Sequence, residues 1–191
     1  PPAPTPPPTR APRRAALAPL RSGETAGAIE TAEVLKERAE RLPSDREMRR
    51  WHQLRGELAL EEGDIDRAVS ALEEARSLLP PGSKGSLSGS RVSVLRALAA
   101  AYIAAGEDAK AEDALDEILN AGSERIALPE IWVRSHYHLA QIHERRGDNE
   151  RARELYRQFY ELWRDGDIDR ESVIKTIGNF AAHMSNTCHG K

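Results

Sequence analysis

Three histidines crowd one stretch of the chain, His136, His138 and His143. A helix that binds zinc needs two histidines four residues apart plus a third ligand. Here the spacings are two, five and seven. His136 and His143 do share a helical face, but it is the face expected to pack on a following helix, so packing histidines fit the pattern better than ligands. No Gly-x-Ser-x-Gly elbow holds a nucleophile. The segment GSKGSLSGS has glycines and a lysine without the spacing of a phosphate loop, and reads as a flexible connection. Adjacent carboxylates such as Glu61–Glu62 and Glu73–Glu74 read as solvated helix faces. The expectation is a protein without catalytic residues, bound metal or cofactor.

The end of the chain, SNTCHGK over 185–191, is the one provocative motif. It looks like the haem-attachment sequence of c-type cytochromes, CxxCHGK, with Ser185 where the first cysteine would stand. The likeness implies a thioether at Cys188, iron ligation by His189, and His183 or Met184 as a second ligand. The chain stops at Lys191, which leaves no fold to surround a haem, so a free or intermolecularly bonded thiol is the better reading. Cys188 is also the sole cysteine, so neither an internal disulfide nor a CxxC knuckle can form.

Whatever positions these residues must be helical. Charged residues make up 31% of the 191 and aromatics 5%, and the apolar set is mostly Ala and Leu, both strong helix formers. No apolar run approaches the roughly 18–20 residues that span a bilayer. The net charge of −3 is unevenly spread. Residues 1–22 hold Arg10, Arg13, Arg14 and Arg21 and no acid, a charge of +4, so the rest carries −7. An acidic body suits nucleic acid poorly, because phosphate neutralisation dominates that affinity.

Eight of the twelve prolines lie in residues 1–20. Proline fixes φ and lacks a donor, so 1–22 should be an extended, polyproline-like arm. It would serve as a linker or as an arm docked on a neighbouring subunit. From Glu24 the pattern turns helical, with Ile29, Ala32, Leu35, Ala39 and Leu42 forming one stripe. Pro43 stops that helix, and Ser44 with Glu47 forms a capping-box signature for the next.

Beyond Ser44 the chain is repetitive. EEGDIDRAVSALEEA, AAGEDAKAEDALDEI and RRGDNERARELYRQF align on Gly63, Gly106 and Gly147. Five residues after each glycine comes Ala68, Ala111 or Ala152. Four later comes Leu72, Leu115 or Tyr156, and three later Ala75, Ile118 or Phe159. Glycine can end the first helix in the left-handed conformation, Asp64 and Asp148 can cap the second, and the small Ala lets the helices approach. The small residue, aromatic, turn glycine, Ala, bulky apolar and second apolar positions at Ala99, Tyr102, Gly106, Ala111, Leu115 and Ile118 resemble a tetratricopeptide repeat. So do Gly56, Gly63, Ala68, Leu72, Ala75 and Pro80. The periods of 43 and 41 exceed the family's 34 or so, the excess lying in PPGSKGSLSGS and NAGSERIALPE.

The resemblance implies an all-α, right-handed solenoid of antiparallel helical hairpins, about three repeats plus flanking helices, behind the Pro-rich arm. The expected divisions are 1–22 for the arm, 23–182 for the repeat domain and 183–191 for a tail, with Ile168 to Phe180 as a capping helix. It also implies that first helices line a partner-binding concave face. That assigns Arg50, Gln53, Glu57 and Leu60, then Arg96, Ala100 and Ile103 beside Ser93, then Arg134, Tyr137, Gln141 and Arg145. Arg96, Arg134 and Tyr137 would be its anchors. The expected function is a non-catalytic protein–protein interaction scaffold or structural subunit of a larger assembly, a homopolymeric one included, with the arm docking on a neighbour. A peptide-binding adaptor with the arm as tether, and a haem-bearing electron-transfer subunit, are the alternatives. The partners are proteins, self or other subunits, and neither nucleic acid nor a membrane span. The absence of a starting Met, the Pro/Thr arm and the haem-like end point to export, periplasmic or extracellular, against a cytoplasmic alternative.

Overall fold

The computed structural model of the protein describes residues 25–41, 44–80 and 90–164. Its elements are α1 (Thr25–Arg41), α2 (Asp45–Glu61), α3 (Ile65–Ser77), α4 (Ser90–Ala105), α5 (Asp108–Leu119), α6 (Glu124–Ala127), α7 (Pro129–Arg145) and α8 (Asn149–Trp163), with no strand among the described residues. The arm, the capping segment 168–180 and the Cys188–His189 end lie outside them.

The chain divides between Ile131 and Trp132 into two compact units. In the first, α1 packs on α2, α2 on α3, α3 on α4 and α4 on α5, and α2 also touches α4. Each of α1 to α4 meets the next helix in sequence, and the first helices α2 and α4 of adjacent hairpins meet each other. This is the contact pattern of an all-α helical-repeat stack.

Three turns explain the repetition. Gly63, Gly106 and Gly147 have φ of 77°, 73° and 81°, a region where a side chain would be strained. Each glycine N–H donates to the carbonyl three residues back, at Leu60, Ile103 and Glu144 (3.1, 3.1 and 3.0 Å). Each following N–H reaches five back, to Ala59, Tyr102 and His143 (2.9, 2.8 and 2.9 Å). The second contact is the Schellman closure that satisfies orphan helix carbonyls. Asp64 and Asp148 then cap the next helix by accepting from the N–H of Arg67 and Arg151. Glu107, at the same place in the second hairpin, makes no side-chain cap bond.

The seam residues fall where the spacing puts them. Ala68, Leu72, Ala75, Ala111 and Ile118 are fully enclosed, and Leu115 nearly so. Removing one leucine side chain from water contributes about 1.5–3 kcal/mol. Close approach is required at Gly56, where a Cβ would lie 2.4 Å from Leu72 Cγ. Helix α4 is apolar almost all round, with Val92, Val94, Leu95, Leu98 and Tyr102 buried, because neighbours cover it on more than one side.

Two expectations need correction. Ser44 accepts from the Glu47 N–H as a cap should, but the Glu47 carboxylate turns away to Arg50 and Arg38 (3.0 and 3.6 Å), so only half a capping box forms. The segment NAGSERIALPE is more than a linker. It holds α6, and α7 opens on Pro129, where a missing N–H costs a helix nothing.

Candidate interaction face

In the first unit, the first-helix residues assigned to the concave face meet as a polar ladder. Gln53 on α2 is 2% exposed and Glu57 6%. The Gln53 Nε2 donates to Glu57 Oε1 at 3.0 Å, to Ser93 Oγ on α4 at 3.0 Å, and to the Ser93 carbonyl at 3.3 Å. Arg96, one turn along α4, donates through Nη2 to the same Glu57 oxygen at 2.6 Å. A buried carboxylate is tolerated when a cation and hydrogen bonds compensate it, and here both reach Oε1 from its own helix and the next first helix, while the buried Oε2 has no hydrogen-bond partner among the described residues. Arg50 pairs with Glu47 at 3.0 Å, and burial holds its guanidinium pKa below the usual value. Leu60 and Ile103 are half-buried and Ala100 is exposed.

The second unit, from Trp132 on, has a different character. Tyr137 packs with Val133 against Phe159 and Trp163. Its ring lies 5.3 Å from that of Phe159 and 5.7 Å from that of Tyr156. Arg134 sits over the Trp163 ring at 4.8 Å, a cation–π contact. The Gln141 amide donates to the Tyr137 hydroxyl at 3.2 Å, and Arg145 is exposed. Contacts from residue 134 to 163, 137 to 159 and 144 to 156 run in opposite order, so α7 and α8 are antiparallel.

The three histidines go separate ways. His136 is buried with Nδ1 3.2 Å from the Trp132 carbonyl, and burial lowers its pKa. His138 faces Gln141 at 3.3 Å, and His143 faces Asp148 at 3.1 Å. No group of three or more metal-ligating side chains occurs among the described residues, and no helix among them is long and apolar enough to cross a membrane.

Several contacts carry no spacing signal. Glu117 on α5 takes Arg76 from α3 and Arg91 from α4, tying two hairpins together. The Tyr102 hydroxyl donates to Glu73 at 2.9 Å, and burial first, then that carboxylate, pushes its pKa up to about 12. His52 Nδ1 lies 2.6 Å from Glu74, while burial lowers its pKa. Each joins residues about twenty to forty positions apart on different helices, which pairing by sequence offset cannot reveal.

Comparison with curated proteins gave no match. Residues 133–163, which cover α8 and most of α7, match the tetratricopeptide repeat model. That repeat marks an interaction scaffold or adaptor. The two earlier hairpins share its turn bonds and its buried alanine. The antiparallel pair over residues 133–163 is therefore similar to a tetratricopeptide repeat.

Proposed function

We propose that the chain is a non-catalytic scaffold subunit of a larger protein assembly, with its Pro-rich arm docking on a neighbouring subunit. One observation carries most of this. Most of the polar groups that the first two hairpins place on this face are engaged with each other, Glu57 through Oε1 alone. Gln53, Glu57, Ser93 and Arg96 join α2 to α4, so their bonding capacity stabilises the stack. A peptide adaptor would present such groups unpaired in its groove. The ionisable side chains with displaced pKa values point the same way. His52, His136 and Tyr102 are moved first by burial at helix seams, as structural side chains are.

The arm supplies the means of assembly. It carries +4 against −7 for the rest of the chain, and an extended proline-rich segment loses little entropy when it docks. Light scattering tests the assembly directly. Deleting residues 1–22 is expected to lower the native mass to that of a single chain. An unchanged mass would remove the arm from the account.

A further inference from the structure

The outer side of α8 carries a basic stripe. Arg153, Arg157 and Tyr160 stand at steps of four and three, so they share one helical face, and all three are exposed. The opposite side, with Ala152, Leu155, Phe159 and Trp163, is buried. Arg151 has a carboxylate of its own in Glu154 at 2.6 Å, whereas Arg153 and Arg157 form no ion pair among the described residues. Glu150 and Glu161 are exposed at the edge of the stripe. The repeat register shows what kind of face this is. Arg157 and Tyr160 lie ten and thirteen residues after Gly147. The same offsets after Gly63 fall on Glu73 and Arg76, and both of those reach the next hairpin. The Tyr102 hydroxyl of α4 donates to Glu73 at 2.9 Å, and Arg76 pairs with Glu117 of α5. The α8 stripe thus occupies stacking positions, and no described helix follows it.

A face of opposite sign lies on α1. Glu30, Glu33, Val34 and Glu37 are exposed on the side away from Leu35 and Ala39, and Leu35 packs against Leu54 and Leu58 of α2. Glu30 and Glu33 form no ion pair among the described residues, while Glu37 pairs with Arg41 at 2.7 Å. Lys36 is exposed at the edge. Val34, 52% exposed, sits among the carboxylates as Tyr160, 46% exposed, sits beside the guanidinium groups. Each face is therefore one exposed apolar side chain with free charges of one sign around it, the layout of an apolar centre with a polar rim. Like charges set face to face repel, so neither face can pair with its own copy. The two faces can pair only with each other.

We propose that the α8 face of one copy docks on the α1 face of a second copy. Arg153 and Arg157 meet Glu30 and Glu33 around a contact between Tyr160 and Val34. The contact joins two different surfaces, so each copy keeps one of them free after binding. Association then runs on into an open chain or closes into a ring. This deepens the assembly function proposed above and rests on it, since it names the partner and the surfaces. The arm and this contact act on the same assembly, and loss of either should dissolve it. The two readings can fail separately. A native mass of one chain contradicts assembly altogether, whereas an assembly that survives reversal of these charges contradicts only this contact.

Light scattering on the full chain tests the contact. The native protein should run above the single-chain mass of 21.2 kDa and fall towards it as salt is raised, because exposed charge pairs are screened. Arg153→Glu combined with Arg157→Glu should give the single-chain mass, and so, separately, should Glu30→Arg combined with Glu33→Arg. All four side chains are exposed, so the helical circular dichroism of both variants should match that of the native chain. Mixing the two variants should restore assembly, because each keeps the face that the other has reversed. Tyr160→Ala should weaken association about tenfold in a dilution series. The proposal is overturned if either reversal leaves the native mass unchanged, or if the mixture stays at the single-chain mass. An unchanged mass together with lower stability of the arginine variant in urea would make the segment after α8 the cover of this face instead.

Discussion

The first two hairpins and the last share a turn and differ in what fills their seams. After Gly63 and Gly106 come Ala68, Leu72 and Ala75, then Ala111, Leu115 and Ile118, all buried. After Gly147 come Ala152, Tyr156 and Phe159, with Phe159 buried and Tyr156 half-buried. Glycine at positive φ and a small alanine fix how the two helices meet, and that constraint is the same in all three. The bulk at the next two positions is free to vary. Aliphatic residues close the early seams. Aromatic rings close the late one, with Phe159 and Trp163 buried and Tyr160 left exposed beside them.

Truncation should show the contrast most strongly in the aromatic seam. Phe159→Ala removes a ring held by Tyr137 and Trp163, and is expected to cost about 3–5 kcal/mol in urea denaturation. A loss below half of that would mean that the late seam is loosely packed. In the polar ladder, Gln53→Ala strips a donor from Glu57 and Ser93, with an expected cost of about 1–3 kcal/mol. If Gln53→Ala equals Phe159→Ala in cost, the contrast between the hairpins fails.

The turns serve as the internal control. Gly63→Ala and Gly147→Ala meet open space but force a side chain into the left-handed region, so each should cost about 1–2 kcal/mol. Similar losses in both would show that the turn geometry is common to early and late hairpins. Smallest of all should be Arg134→Ala, which deletes an exposed cation over Trp163 and is expected to cost about 0.5–1 kcal/mol. Tryptophan fluorescence of that variant should change even where stability hardly does.

Most of the framework was legible in the sequence because it rests on local rules. A glycine at a helix end, an aspartate after it and apolar residues at steps of three and four each act within a turn or two of chain. They foretold the hairpins around Gly63, Gly106 and Gly147, and the burial of Ala68, Leu115 and Phe159. The half-formed capping box at Ser44 was not legible, because Arg50 and Arg38 draw Glu47 away, and Arg38 belongs to another helix. Glu117 between Arg76 and Arg91 was hidden for the same reason. The assigned face was legible only as a set of helix positions. That Gln53, Glu57 and Arg96 would engage one another depends on how closely α2 and α4 approach, which spacing along a single helix does not contain.

The central claim is that the ladder residues bind their own stack. A double-mutant cycle on Glu57→Ala and Arg96→Ala, read by urea denaturation of the isolated chain, tests it most directly. The short Arg96–Glu57 pair, with the carboxylate buried and the guanidinium partly exposed, predicts a coupling of about 1 kcal/mol or more. A coupling indistinguishable from zero would contradict the account, since the two charges would then contribute nothing to the stack and would be free for a ligand.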